Sequence, residues 1–139
     1  MTDLVLRLAT PADADPIALM SRDLIETGLS GWSWGPQRVT RAIRARHVNT
    51  LVAEIGKHIS GFAIMEFADT HAHLSLLAVA PSHQRCGIGR RMMAWLEESA
   101  LVAGIATIHL ELRANNQAAF DFYRTLGYLQ TATVPGYYN

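Results

Sequence analysis

Apolar positions recur with two different periods along the chain, and each period indicates a different kind of element. Alternating or short apolar runs predict strands at Leu4–Leu8, Thr50–Ile55, Ile59–Phe67, His73–Val79, Ile105–Arg113 and Tyr128–Val134. Apolar residues three or four positions apart predict helices after Thr10, over Gln37–His47, over Gly87–Ala103, and after Asn115-Asn116 as far as Gly127. This order of elements, with an antiparallel meander in the middle, predicts a mixed α/β sandwich.

The first predicted helix has a clear start signal and an open boundary. Thr10 is a capping residue, Pro11 takes the first helical position, and Asp13 follows three residues after the cap. Pro16 has no amide hydrogen to donate. It therefore either kinks this helix or marks its true start after Asp15.

Composition narrows the class of protein. The chain has 139 residues, of which 50% are apolar, so it is expected to form one domain over 1–139 with a sizeable core. Its 12 basic and 12 acidic side chains cancel, and this balance does not favour a nucleic-acid partner. No stretch approaches the ~18 apolar residues of a membrane span. The single cysteine, Cys86, excludes an internal disulfide. We therefore expect a cytoplasmic protein that binds neither nucleic acid nor membrane.

The stretch Gln84–Arg90 joins an apolar strand to the longest predicted helix. It contains Gly87 and Gly89, and Arg85 and Arg90 flank them. Glycines at a helix start leave backbone N–H groups accessible at the positive end of the helix dipole, which suits a phosphate-bearing ligand. A plain tight turn would use the same glycines. The strand, the helix and the next strand should form a right-handed parallel crossover, and ligands bind such units beyond the carboxyl end of the strand.

Two motifs together carry a resemblance to a known family. The first is Leu77-Ala78-Val79-Ala80-Pro81 followed by Gln84-Arg85-Cys86-Gly87-Ile88-Gly89-Arg90, and the second is Asn116-x-x-Ala119-x-x-x-Tyr123-x-x-Leu126-Gly127-Tyr128. In this order they resemble the GNAT superfamily of acyl-CoA-dependent N-acetyltransferases over nearly the whole chain. The resemblance implies a mixed, mostly antiparallel sheet with a splayed parallel central pair, and helices on both of its faces. It also implies acetyl-CoA as the acyl donor.

The resemblance further implies which residues hold coenzyme A. They are Leu77, Val79, Gln84, Arg85, Cys86, Gly87, Ile88, Gly89, Arg90, Asn116, Ala119 and Tyr123. The main chain of Val79 would bind the pantetheine arm and the thioester carbonyl, and the amides from Arg85 to Arg90 would cradle the pyrophosphate. Tyr123 would act as the catalytic acid that protonates the departing thiolate.

Two residues on the predicted strand Ile105–Arg113 are candidates for the catalytic base. The resemblance favours Glu111, which would need a partly desolvated cleft to accept an ammonium proton near neutrality. His109 shares its predicted face, and imidazole groups in general titrate near neutrality. An ion pair with Arg113 would also explain the glutamate.

The expected acceptor is a primary amine, first of all the α-amine at the N terminus of a protein or peptide. Leu110-Glu111-Leu112-Arg113 and Tyr137-Tyr138 resemble the branch of the family typified by the ribosomal-protein alanine acetyltransferases. The expected acceptor-binding residues are Trp32, Trp34, Glu111, Tyr137 and Tyr138. The two tryptophans, in a glycine-rich loop, either line a pocket or fold back onto the core. The alternatives are a small-molecule amine as acceptor, or a module that binds acyl-CoA without catalysis.

Two further expectations concern metals and assembly. His71 and His73 have no third ligand at a suitable spacing, so no metal site is expected. The family usually has a final strand after the tyrosine pair, whereas this sequence stops at Asn139. Either the sequence is truncated, or the Tyr128–Val134 strand moves into the vacant place, or another chain fills it. An open gap would expose unpaired strand edges, so a homodimer through the C-terminal strand region is the expected assembly.

Overall fold

The computed structural model describes residues 3–27, 31–84, 87–112 and 116–130. The strands within these residues are β1 (Leu4–Leu8), β2 (Val48–Ile55), β3 (His58–Phe67), β4 (Ala72–Val79) and β5 (Ile108–Leu110). The α-helices are α1 (Ala14–Met20), α2 (Pro36–Arg44), α3 (Ile88–Val102) and α4 (Gln117–Thr125). Two 3-10 turns, Pro11–Asp13 and Pro81–His83, and a π-helical turn, Ser21–Ile25, lie between them. The chain divides into two compact units, Met1–His109 and Leu110–Asn139.

The strands form one sheet in the order β1-β2-β3-β4-β5. The first four pair antiparallel; for example, Val52 of β2 lies opposite Phe62 of β3. β5 runs parallel to β4. Where these two strands begin, the Ala72 N–H donates to the Thr107 carbonyl at 2.9 Å. The predicted meander and the predicted parallel pair are both confirmed.

Helices cover both faces of the sheet in the first unit. Successive strand residues face opposite sides, so one strand can serve two layers of core. On one face, α1 and α2 bury their apolar sides against a cluster that includes Val52 and Phe62. On the other face, α3 contacts β2, where the Asn49 side-chain amide donates to the Ser99 hydroxyl at 2.6 Å. This arrangement confirms the mixed sandwich with helices on both faces.

The helix boundaries follow the predicted ones closely. α3 buries Ile88, Met92 and Leu96, as its apolar stripe predicts, and leaves Trp95 half-buried. α2 ends three residues before the predicted end at His47, since the residue after Arg44 already has an extended backbone.

Pro16 lies in the first turn of α1, where its missing N–H removes no hydrogen bond of the helix. The Thr10 N–H donates to the Asp13 carboxylate at 2.8 Å, which caps the 3-10 turn as the sequence predicts. α1 then begins at Ala14, so Pro16 is in the first helical turn, whose N–H groups have no intrahelical acceptor. The alternative of a start after Asp15 is wrong by two residues.

The strand predicted over Ile105–Arg113 is much shorter in the structure, where β5 has three residues. Its late start follows from the way α3 ends. Gly104 adopts φ +80°, and the Ile105 N–H donates back to the Ala100 carbonyl at 2.8 Å. This closure keeps Ile105 out of the sheet. At its other end β5 stops at Leu110, so Glu111 is the first residue after the strand rather than a residue within it.

The predicted last strand, Tyr128–Val134, falls partly outside the described residues. Tyr128, Leu129 and Gln130 are not in a strand. Residues 131–139 lie outside the described part, and with them Tyr137, Tyr138 and the expected dimer contact, which stay predictions.

Candidate active site

The carboxyl end of β4 forms the first part of the candidate site. Its last residue, Val79, lies opposite Gly61 of β3, and the next N–H, that of Ala80, donates to the Ser60 carbonyl at 2.8 Å. N–H groups alternate between the two edges of a strand, so the Val79 N–H points to the edge away from β3. β5 adjoins that edge, but it begins level with the start of β4 and has only three residues. The Val79 N–H is therefore directed to a position where a ligand could accept from it.

A 3-10 turn leads from β4 into the glycine loop. Just after this turn, the Gln84 side-chain amide donates to the Val79 carbonyl at 3.1 Å, which ties the start of the loop to the end of the strand. Leu77, two residues earlier on β4, is half-buried. Arg85 and Cys86 lie outside the described residues, so the contacts expected of them stay predictions.

Gly87 opens α3 with a backbone that other residues rarely adopt. Its φ is +79°, in the left-handed region, which explains a glycine at this position. The Arg91 N–H donates to the Gly87 carbonyl at 3.0 Å and begins the helical ladder. The N–H groups of Ile88, Gly89 and Arg90 therefore have no acceptor within the helix and point out of its positive end. Three such amides, beside an exposed arginine at 90, suit a pyrophosphate.

The second unit carries the second motif on α4. The Asn116 side-chain oxygen accepts the Ala119 N–H at 3.1 Å, so the predicted cap is confirmed. Tyr123 is 7% exposed, and its ring packs edge-on against Phe122 at 5.0 Å and Tyr128 at 5.7 Å between centroids. Burial raises the pKa of the Tyr123 hydroxyl above its ordinary value, because a buried phenolate would lose its hydration. Tyr123 is thus protonated throughout the neutral range.

Both candidate bases are exposed. His109 lies on β5, and its ring stands edge-on to that of His71 at 4.9 Å between centroids. Glu111 follows β5 directly. Arg113, the alternative ion-pair partner of Glu111, lies outside the described residues. Since both side chains reach the surface, burial does not separate the two candidates.

The two tryptophans of the loop before α2 have different surroundings. Trp34 packs into the core cluster of α1 and α2, as the core alternative predicts, whereas Trp32 is 41% exposed. An arginine covers each ring: Arg38 lies 3.8 Å from the centroid of Trp34, and Arg22 lies 5.5 Å from that of Trp32. Contact between either tryptophan and an acceptor stays a prediction.

A buried carboxylate that the sequence pattern did not single out organises this loop. Glu26 is 7% exposed. Its carboxylate accepts from the Ser33 N–H at 2.5 Å, the Trp34 N–H at 3.2 Å and the Ser21 hydroxyl at 2.8 Å. A glutamate next to a polar loop looks like any surface acid in the sequence. Only its burial and its three donors reveal the role.

The described residues contain neither a candidate metal site nor a candidate membrane-spanning helix. No group of three or more His, Cys, Asp or Glu side chains there could hold a metal ion. Within the same residues, no helix has the length and apolar character needed to cross a membrane.

Comparisons of sequence and of structure with known proteins all identify acetyltransferases as similar proteins. A family model described as the acetyltransferase (GNAT) family matches residues 18–128. The [ribosomal protein bS18]-alanine N-acetyltransferase of Escherichia coli K12 is 32% identical over 114 residues, which is 82% of this chain and 76% of that protein. The structure of the PaiA N-acetyltransferase from Thermoplasma acidophilum, in complex with coenzyme A, has a TM-score of 0.85 at 18% identity and covers 96% of this chain and 94% of its own. The structure of an aminoglycoside N-acetyltransferase in complex with CoA has a TM-score of 0.81 at 14% identity. The match covers 99% of this chain and 95% of that protein.

Proposed function

Because the chain belongs to the acetyltransferase (GNAT) family, we propose that it moves the acetyl group of acetyl-CoA to the α-amine at the N terminus of a protein or peptide. The family and the enzyme class expected from the two motifs are confirmed. The observation that carries the acceptor proposal is the 32% identity, over 82% of this chain, to an enzyme whose name specifies an alanine of a ribosomal protein. The proposal places the reaction in the cytoplasm, where new N termini are made.

The residues at the end of β4 and the start of α3 support the choice of donor. The amides of Ile88, Gly89 and Arg90 would bind the pyrophosphate, because they converge at the positive end of a helix 15 residues long. The Val79 N–H, directed away from β3, would donate to the thioester carbonyl. The bound donor supplies an activated acetyl thioester. The protein then has only to orient this group and polarise its carbonyl.

The direct reaction moves one proton from nitrogen to sulfur. The amine nitrogen bonds to the thioester carbon, the carbon–sulfur bond breaks, and the amine proton passes to Glu111 or to water that it orders. Tyr123 would donate a hydrogen bond from its hydroxyl to the sulfur as negative charge develops there, and the thiolate takes its proton through this hydroxyl, which regains one from water while Glu111 returns the amine proton to water. Burial and the raised pKa keep the proton on the hydroxyl at every physiological pH, so the group is always available as a hydrogen-bond donor, although it is a weaker acid than an exposed tyrosine.

A panel of acceptors tests the proposal. The first peptide has a free N-terminal alanine and no lysine, and its matched control has a blocked N terminus and one lysine. Spermidine and an aminoglycoside represent small amines. Release of free thiol measures turnover, and mass spectrometry locates the acetyl group. We expect acetylation of the free α-amine alone. Turnover confined to lysine or to the small amines would refute the acceptor, and coenzyme A binding without any turnover would favour the non-catalytic module.

Two single variants separate the candidate bases. Glu111→Gln keeps the size of the side chain and removes its basicity. His109→Asn removes the basic imidazole and leaves a smaller polar side chain. We expect Glu111→Gln to lower kcat by about 10²-fold or more, as loss of a general base does, and His109→Asn to leave kcat close to that of the unmodified enzyme. The reverse pattern would assign the role to His109.

A further inference from the structure

Gly61 occupies a point in β3 where a side chain would be crowded. It is buried and lies opposite Val79, the last residue of β4. A Cβ atom added here would come within 3.0 Å of the Ala78 carbonyl oxygen, 3.1 Å of Met92 Cε and 3.6 Å of Ile88 Cγ2. These atoms belong to the end of β4 and to the first turns of α3. The missing side chain therefore lets strand and helix approach each other closely at this point.

The residue before Gly61 holds the same end of β4 in place. Ser60 is the extra residue of a bulge between β2 and β3, where the register passes from Ala53–Gly61 to Glu54–Ile59. Its hydroxyl donates to the Ala53 carbonyl at 3.0 Å, which ties the bulge to β2. The Ser60 backbone carbonyl accepts the Ala80 N–H at 2.8 Å. The end of β4 is therefore held by a backbone contact that does not depend on the Ser60 hydroxyl.

We infer that Gly61 is a positioning residue for the acetyl donor. It sets the distance between the Val79 N–H, at the end of β4, and the amides of Ile88–Arg90, at the start of α3. One donor molecule must meet both groups at once, so their separation decides how tightly it binds. The inference rests on the proposed function, which assigns these two sets of amides to acetyl-CoA.

The atoms around Gly61 determine what a methyl group would move. The Ala78 oxygen is a backbone atom of a paired strand, and it cannot rotate away as the end of a side chain can. Met92 has a flexible terminal methyl but is completely buried, so it has little space into which to turn. Strain at Gly61→Ala must consequently be relieved by a shift of the end of β4, of the start of α3, or of both.

The test compares Gly61→Ala with two matched variants. Gly35→Ala adds the same methyl group at a glycine where the new Cβ would meet nothing within 4 Å and where φ is −73°. Ser60→Ala removes the hydroxyl that donates to the Ala53 carbonyl and keeps the backbone contact to Ala80, so it destabilises the neighbouring bulge without filling the space against α3. For each protein we would measure the Kd of coenzyme A by calorimetry, the KM of both substrates, kcat and Tm.

We expect Gly61→Ala to raise the Kd of coenzyme A and the KM of acetyl-CoA by about tenfold or more, with the KM of the acceptor peptide within about twofold. Gly35→Ala should leave all constants unchanged. Ser60→Ala should lower Tm while the KM of acetyl-CoA is retained, because a purely structural loss lowers stability and not the affinity for one substrate. An unchanged KM of acetyl-CoA in Gly61→Ala would overturn the inference, and so would an equal rise in Ser60→Ala.

A second background covers the case in which Gly61→Ala does not fold. Met92→Leu removes the methyl group nearest the new Cβ at little cost in volume. In that background, Gly61→Ala still presses on the Ala78 oxygen, and the double variant is compared with Met92→Leu alone. Calorimetry of the unmodified protein separates the two levels of the proposal. Absence of coenzyme A binding there would refute the proposed function, whereas binding that Gly61→Ala leaves intact would refute only the role of Gly61.

Discussion

Removal of the Tyr123 hydroxyl tests the catalytic assignment with little disturbance of the fold. The ring of Tyr123 is 7% exposed and packs edge-on against the rings of Phe122 and Tyr128. Tyr123→Phe retains these ring contacts and deletes one oxygen atom. The variant should therefore fold with a Tm close to that of the unmodified enzyme. A loss of rate can then be attributed to the missing hydroxyl rather than to unfolding.

The magnitude follows from the acidity of the buried phenol. Positioned general acids contribute about 10²–10⁴-fold to rate. Burial raises the pKa of Tyr123, so its proton is present at every working pH, but the group is a weaker acid than an exposed tyrosine. Complete transfer to a thiolate, whose conjugate acid has a pKa of about 8.5 for a cysteine-like thiol, is uphill. We therefore expect Tyr123 to act mainly as a hydrogen-bond donor to the sulfur, and Tyr123→Phe to lower kcat by about 10²-fold, at the lower end of that range.

The assay measures kcat with the peptide acceptor that turns over, varied at saturating acetyl-CoA, from pH 7 to pH 10. Tyr128→Phe, which deletes the same atom from the neighbouring ring, is the matched control and should keep most of the rate. Equal losses in the two variants, or a loss of less than about threefold in Tyr123→Phe, would refute the assigned role.

The raised pKa of Tyr123 also affects the pH dependence of the free energy of unfolding. A folded-state pKa above the unfolded value of about 10 contributes stability that is complete below pH 10 and is lost as pH rises above it. Tyr123→Phe should remove that alkaline loss.

Three further predictions concern the first 3-10 turn, the glycine loop and the tryptophan loop. Asp13→Asn breaks the bidentate contact with the Arg7 guanidinium, at 2.8 and 3.0 Å, and should lower the free energy of unfolding by about 2 kcal/mol at pH 7. Because the Arg7 contact lowers the pKa of Asp13, this difference should shrink as the pH of urea titrations falls below about 4, and a pH-independent difference would contradict it. Gly87→Ala places a side chain at φ +79° and should cost about 1 kcal/mol in urea unfolding and weaken coenzyme A in calorimetry; an unchanged Kd would argue against the loop as the pyrophosphate site. Glu26→Gln replaces one of two acceptor oxygens with a donor and should cost about 1–3 kcal/mol in the same unfolding assay, and a cost below about 0.5 kcal/mol would show that the loop is anchored elsewhere.

Much of the candidate site could be read from local sequence because the features concerned are local. The Asn116 cap and the glycine at the start of α3 each depend on a few neighbouring residues, and both were predicted from residue type and position, whereas the left-handed backbone of Gly87 is seen only in the structure. The burial of Tyr123 follows from the apolar stripe of its own helix. The turn between the predicted strands Thr50–Ile55 and Ile59–Phe67 is equally local, and its Gly56 has φ +65°.

Sequence by itself determined the order and type of most elements, the class of fold and the family, because hydrophobic period, caps and turn residues act over short distances. Only the tertiary structure decided that β5 begins at Ile108, that Glu26 is buried, that Trp34 enters the core while Trp32 does not, and that a methyl group at Gly61 would crowd β4 and α3. Each of these depends on atoms that lie far apart in the chain. The space at Gly61, for example, is set by Ala78 on β4 and Met92 on α3, and no pattern within β3 records how closely those two elements approach it.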